Sequence, residues 1–159
     1  MLSVAEIMTA KPQTLGPDDS LAEARKLMSE QHFRHIPIVD KEEKLVGVVS
    51  QRDVLAAADS SVLPDRDAHA KQERYIALST IMTTPVQTVE PDARLRGTAM
   101  HLLKNRLGCM PVTRNGKLVG IITDSDFVSI AIHLMEQLEQ SEAEATTDDF
   151  DEGFNDGEI

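Results

Sequence analysis

Tryptophan is absent from this chain of 159 residues, tyrosine occurs once and phenylalanine four times. Any core must therefore be aliphatic, built from Leu, Ile, Val, Met and Ala. The one cysteine, Cys109, excludes an intrachain disulfide and fits a reducing compartment. No run of about 18 apolar residues occurs, so no membrane span is expected. Met1 to Ala10 lacks the basic-then-apolar order of a signal peptide, and the expectation is a soluble, cytoplasmic protein. Lys and Arg are missing from residues 136–159, which hold ten acids, so the formal charge of −11 leaves the first 135 residues at −1. A near-neutral body with a polyanionic tail argues against general nucleic-acid binding. Catalytic sets are missing too. His32 and His35 have no carboxylate or cysteine cluster to complete a metal site. Cys109 has no partnered histidine and reads with Met110 as a core residue. No Gly-rich phosphate loop is found. The chain is expected not to be an enzyme, and no metal or resident cofactor is expected.

What the chain does have is a repeat. Residues 4–58 align on 78–131 with an offset of 74 that drops to 73 after one deletion in a turn. Identities include Ile7/Ile81, Met8/Met82, Thr9/Thr83, Thr14/Thr88, Pro17/Pro91, Asp18/Asp92, Leu21/Leu95, Pro37/Pro111, Gly47/Gly120 and Asp53/Asp126. Colinear self-similarity of this length marks a duplicated unit. Each copy reads strand–helix–strand–strand–helix. Gln13 to Leu15 is a short extended stretch. Pro17 to Ser20 is turn and N-cap chemistry, and Leu21, Ala24, Leu27 and Met28 follow at helical spacing. Ile36 to Val39 and Leu45 to Val49 predict a hairpin. Pro37 and Pro111, inside strand-like runs, predict an edge or a bulge, and Gly47 and Gly120 predict a close approach of another group. The expected class is α/β (α+β), with two β-α-β-β-α repeats related by a pseudo-twofold, since one copy alone would be marginal. The expected boundaries are 1–59 for the first repeat, 60–77 for a linker and lead-in helix, 78–140 for the second repeat with an extended last helix, and 141–159 for an acidic disordered tail. The apolar stripe of that last helix, Phe127, Ile130, Ala131, Leu134 and Leu138, calls for a partner.

The strongest chemical signal is duplicated. Gly47 to Asp53 and Gly120 to Asp126 both read glycine, two β-branched residues, a hydroxyl, two variable residues and an aspartate. The hydroxyls Ser50 and Thr123 fall where a strand hands over to a helix. One reading is structural, with Ser50 and Thr123 as caps and Asp53 and Asp126 as first-turn acids. The other is a ligand site, because a helix N-terminus receives phosphate and a carboxylate can take two hydrogen bonds from a ribose diol. The two are compatible.

With these motifs in order, the chain resembles the CBS domain, whose tandem pairs are called Bateman modules. The resemblance rests on Ile7-Met8-Thr9, Pro17 to Leu21, His35 to Asp40 and Gly47 to Asp53, and on Ile81-Met82-Thr83, Pro91-Asp92, Met110-Pro111-Val112 and Gly120 to Asp126. It covers about residues 3–132. It implies a stand-alone regulatory module that takes adenosine-type ligands (AMP, ADP, ATP or S-adenosylmethionine) in two clefts between the repeats, pairs as a homodimer and signals to an unidentified protein partner. It also implies roles: Asp53 and Asp126 on ribose, Ser50 and Thr123 near ribose or phosphate, and Thr14, Ile36 and Pro37, or Thr88, Met110 and Pro111, walling the adenine. Arg34 and His35 would meet phosphate, or simply form a solvated connection. Repeat two has Gly108 and Cys109 there, so the clefts should be unequal, with the Asp53 cleft better suited to a charged nucleotide. The alternative is a ligand-free dimerisation or protein-interaction module.

Overall fold

The computed structural model describes residues 2–59 and 66–148. The chain divides into two compact units, the first ending at Thr123 and the second beginning at Asp124. In the first unit, α1 (Leu21–Gln31) starts from Ser20, whose hydroxyl accepts from Glu23 N at 3.3 Å. The Glu23 carboxylate in turn accepts from Ser20 N at 2.7 Å, a reciprocal cap that satisfies two helix-end donors. Leu21, Ala24 and Met28 are its buried face, and His32 ends it in the left-handed region at φ 57. The hairpin follows as β2 (His35–Val39) and β3 (Leu45–Ser50), antiparallel with a register shift at Ile38/Val39. Then come α2 (Gln51–Asp59) and α3 (Arg66–Glu73). The second copy gives α4 (Leu95–Asn105), ended by Arg106 at φ 54, and the hairpin β4 (Cys109–Arg114) and β5 (Lys117–Thr123). Its register shift falls at the matching place, Val112/Thr113. The architecture is α+β with two copies of one unit.

The extended stretch expected at Gln13–Leu15 is reduced to one bridging residue, for a reason visible at the proline. Leu15 N donates to Pro37 O at 3.3 Å and Val39 N to Leu15 O at 3.0 Å. The next bond of that parallel ladder would need an N–H on residue 37, which proline lacks. The ladder stops there and leaves a strand edge open beside Pro37. Repeat two does the same: Val89 N donates to Pro111 O (3.1 Å) and Thr113 N to Val89 O (3.0 Å).

The two repeats exchange their lead-in segments. A short strand that the sequence did not announce, β1 (Thr9–Ala10), pairs with β5 of the other repeat, Thr9 opposite Ile121. Its counterpart Thr83 bridges Val48 of β3. Val4 N donates to Ala93 O (3.0 Å) as Leu78 N does to Asp19 O (2.8 Å). Leu95 N donates to Leu2 O (3.1 Å) as Leu21 N does to Ile76 O (2.9 Å). Ala5 N to Pro91 O (2.8 Å) is likewise matched by Ser79 N to Pro17 O (2.9 Å), whereas Lys11 N to Val119 O (3.2 Å) has no mate because the equivalent residue is Pro85. The equivalent residues Lys44 and Lys117 bridge each other antiparallel, which places the pseudo-twofold axis between them. Leu78 is fully buried in the core of repeat one with Leu21, Ile36, Ile38 and Val49, and each such side chain contributes roughly 1.5–3 kcal/mol. The glycines explain themselves here. A Cβ on Gly47 would lie 2.8 Å from Met82 Cγ, and one on Gly120 3.1 Å from Met8 Cγ. The close approach expected at both positions is that of a methionine from the opposite lead-in.

The linker helix α3 is tied to α1 by Arg25 and Glu73, 3.1 Å apart, with Glu73 7% exposed. The remainder of the expected linker, residues 60–65, lies outside the described residues. The second unit is α5 (Asp124–Asp148), which runs eight residues past the end expected at 140. Its Glu- and Ala-rich stretch from Glu142 to Ala145 has high helix propensity. Residues 149–159, where disorder was expected, lie outside the described residues.

Candidate functional site

In repeat one the structure gathers most of the residues singled out from the sequence around one strand-to-helix junction. His35 opens β2 directly opposite Ser50, the last residue of β3. Gln51 N donates to Arg34 O at 2.7 Å and closes the junction. Ser50 and Asp53 form a full reciprocal cap: Ser50 N donates to Asp53 Oδ2 at 2.8 Å, and Asp53 N to Ser50 Oγ at 3.2 Å. The capping reading is thus realised at this copy. It fixes the carboxylate half-buried at the junction and commits Oδ2, leaving Oδ1 for another donor. Thr14, half-buried, precedes the bridging Leu15 and so lies along the edge that Pro37 leaves open. Arg34 is exposed and His35 half-buried.

Ile36 and Pro37 themselves are buried, Ile36 within the hydrophobic cluster. Their side chains therefore belong to the core, and only the backbone edge at this place is available to wall a ligand. The same holds in repeat two for Met110 and Pro111. There Cys109 faces Thr123 across the hairpin, Thr88 precedes the bridging Val89 and is exposed, and Thr123 is half-buried at the end of β5. Asp126 sits in the first turn of α5, half-buried.

One contact escaped the sequence reading. A Cβ on Gly108 would come within 2.8 Å of His35 Cε1 and 2.9 Å of Nε2. The imidazole of repeat one thus lies against the backbone of repeat two, at the position equivalent to Arg34. With His35 placed as it is, a side chain at position 108 would require the imidazole to shift. The signal was present, a glycine replacing an arginine at an equivalent position.

No group of three metal-ligating side chains occurs among the described residues. No helix among them is long and apolar enough to cross a membrane. An open depression of about 500 Å³ lies around the start of α1, lined by Asp18, Ser20, Ala22, Glu23, Lys26 and Arg74; none of the candidate ligand-binding residues lines it.

Two α+β copies with exchanged lead-ins, a hydroxyl–aspartate motif repeated in the sequence and its cap formed at Ser50 and Asp53 define a paired-repeat module. The chain belongs to the CBS-domain family, whose model matches residues 4–60 and 78–133. It is similar to a solved Vibrio cholerae protein assigned to acetoin utilization (AcuB), at 44% identity over 88% of this chain and 97% of that one, TM-score 0.74. It is also similar to CBSX2 of Arabidopsis thaliana in complex with AMP (27% identity, 85% and 99% covered, TM-score 0.70). A third solved relative is the CBS pair of MJ0100 with 5′-methylthioadenosine and S-adenosyl-L-methionine (26%, 82% and 95%, TM-score 0.69). Some curated relatives are longer: the chain spans 43% of an uncharacterised Thermofilum pendens protein to which it is 37% identical over 131 residues, 80% of this chain.

Proposed function

We propose that this chain is a regulatory module, without catalytic activity of its own, that binds an adenosine-containing ligand at its strand-to-helix junctions and relays occupancy to a protein partner. The observation that carries this is the Ser50–Asp53 junction: a carboxylate held by its cap beside a strand edge that proline keeps open. Asp53 Oδ1 takes a ribose hydroxyl, Ser50 and Thr14 lie toward ribose and base, and Arg34 meets phosphate with its forked donors. Two related proteins of the same fold carry AMP or S-adenosylmethionine in their structures, which supports the ligand class. In repeat two the sequence equivalents of these residues are Thr88, Thr123 and Asp126. Cys109 and Gly108 supply no cation there, so that junction suits a ligand with less negative charge. The working domains on this reading are residues 1–59 and 78–140, joined by 60–77, with an acidic tail over 141–159. Val128, Ile132 and Met135 of α5 form an exposed apolar stripe at helical spacing (58%, 52% and 59%), which suits pairing with a second copy. The same stripe is what favours the other reading, a dimerising interaction module with no ligand.

Calorimetric titration with AMP, ADP, ATP and S-adenosylmethionine decides between them. Binding of at least one, weakened by Asp53→Ala much more than the melting temperature falls, is expected. A cap alone is worth about 1 kcal/mol. If Asp53→Ala lowers stability and leaves affinity intact, the aspartate is only a cap. If no adenosine compound binds, the interaction module stands.

A further inference from the structure

Among the described residues, most methionines are either shielded or out on a helix face. Met28 and Met110 are 5% and 4% exposed, while Met100 and Met135 are each 59% exposed. Met8 and Met82 stand between these extremes, half-buried, at equivalent places in the two lead-ins. Both are held in the same way. Met8 N donates to Val4 O at 2.8 Å and Met82 N to Leu78 O at 2.9 Å, and Val4 and Leu78 are fully buried. The residue after each methionine joins the opposite repeat: Thr9 lies opposite Ile121 of β5, and Thr83 N donates to Val48 O of β3 at 2.8 Å. Each thioether is thus fixed between a buried anchor and a cross-repeat strand contact. Its sulfur packs onto a glycine of the other repeat. Met82 Sδ lies 2.5 Å from where a Cβ of Gly47 would stand, and Met8 Sδ takes the same place over Gly120. The sulfur fills the space that a side chain would need, so no atom can be added on that side.

We infer that Met8 and Met82 are a pair of redox-sensitive latches: two-electron oxidation of either thioether to the sulfoxide, by a peroxide, releases its lead-in from the opposite repeat. The Sδ lone pair attacks one peroxide oxygen, and the S–O bond forms as the O–O bond breaks. The departing hydroxide takes the proton from the new S–OH and leaves as water, so sulfur is oxidised and the peroxide reduced. The product is a polar group where a flexible apolar one stood. Toward the glycine its oxygen has no room; turned toward water, it draws the sulfur off the glycine. Either way the close contact is lost. Half-burial gives these two sulfurs an access that Met28 and Met110 lack, and their seat on the other repeat gives oxidation a structural consequence. Met8 serves repeat two and Met82 serves repeat one, so the effect is crossed. The inference rests on the exchanged lead-ins and holds whatever binds at Asp53.

The test uses the full chain carrying Cys109→Ser, so that its thiol consumes no oxidant, treated with graded hydrogen peroxide. Peptide mass mapping reads sulfoxide at each methionine, and hydrogen exchange reads β3 and β5. In this parent, sulfoxide at Met8 and Met82 should form more slowly than at Met100 and Met135 and faster than at Met28 and Met110. As it forms, exchange in β3 and β5 should quicken about tenfold or more, and the melting temperature should fall by about 4 °C or more. Methionine sulfoxide reductase should reverse both changes. Leucine, close in volume and without sulfur, tests the crossing. After peroxide, Met8→Leu should keep β5 protected and lose β3, and Met82→Leu should do the reverse. Met100→Leu with Met135→Leu should lose both, as the parent does. Protection before peroxide shows that each variant has folded. Met8 and Met82 oxidising no faster than Met28 and Met110 would overturn the proposal, and that result is read on the parent without any methionine variant. So would sulfoxide at both positions with exchange unchanged, or loss of protection in the repeat to which the oxidised methionine belongs by sequence.

Discussion

Glu23 and Glu6 each accept from a serine three residues earlier, Ser20 N and Ser3 N, both at 2.7 Å. In each case the backbone N–H is the larger cause, with the serine hydroxyl second, that holds the carboxyl below its ordinary value of 4.5. A carboxylate whose folded pKa is depressed adds stability that is complete above the unfolded pKa and is lost as pH falls through the folded one. Both groups are exposed, so the effect is modest. Wild type should therefore exceed Glu23→Gln in melting temperature by a constant margin above about pH 5.5, and the margin should shrink toward pH 3. A margin that grows on acidification would contradict the assigned direction. At the ligand junction, Arg34 is the exposed cation beside the Gln51–Arg34 hydrogen bond. Arg34→Ala should cost more affinity for AMP or ATP than for adenosine, measured by calorimetry under one salt condition. Equal losses would mean that Arg34 touches no phosphate.

At the scale of elements, the hairpins and helices were legible because their signals are local. β-Branched runs around a charged turn give β2–β3, and Ser20 with apolar residues at helical spacing gives α1. The Ser50–Asp53 cap was legible for the same reason, since its partners are three residues apart. The strand β1 was not, because Thr9 and Ala10 find their partners in β5, more than a hundred residues on, and no local pattern encodes that choice. The pointer was indirect: glycine at equivalent places in two strands, with methionine at equivalent places in two lead-ins. The burial of Ile36, Pro37, Met110 and Pro111 was likewise hidden, since alternation along so short a strand did not separate core from groove. The Gly47–Met82 contact supports a sharp test. Alanine at 47 would bring a Cβ onto Met82 Cβ, Cγ and Sδ, and overpacking of this kind costs typically 1–3 kcal/mol. Without Met82, the same alanine should gain the roughly 0.5–1 kcal/mol that glycine forfeits in a strand. Denaturant titrations should therefore show Gly47→Ala destabilising the wild type and stabilising Met82→Ala. The same sign in both backgrounds would refute the contact.

On the scale of the first unit, the exchange of lead-ins makes each repeat dependent on a segment that belongs, by sequence, to the other. Removing residues 2–11 does not shorten repeat one at its own edge. It takes from repeat two the fully buried Val4, the partner of Leu95 N, the strand beside Ile121 and the methionine over Gly120. Repeat one keeps its own inserted segment, with Leu78, Ile76 and Met82. Hydrogen exchange on the truncated chain should accordingly lose protection in β5 and at the start of α4, while β2, β3 and α1 hold theirs. If protection were instead lost first in β2 and β3, the lead-in would serve its own repeat and the exchange would be refuted. The same asymmetry bears on ligand linkage. An adenosine ligand at 100 times its dissociation constant adds about 2.7 kcal/mol to whatever state binds it. In the truncated chain, a ligand confined to the Asp53 junction should deepen protection in repeat one and leave repeat two open, whereas in the intact chain the exchanged segments should spread that protection to both.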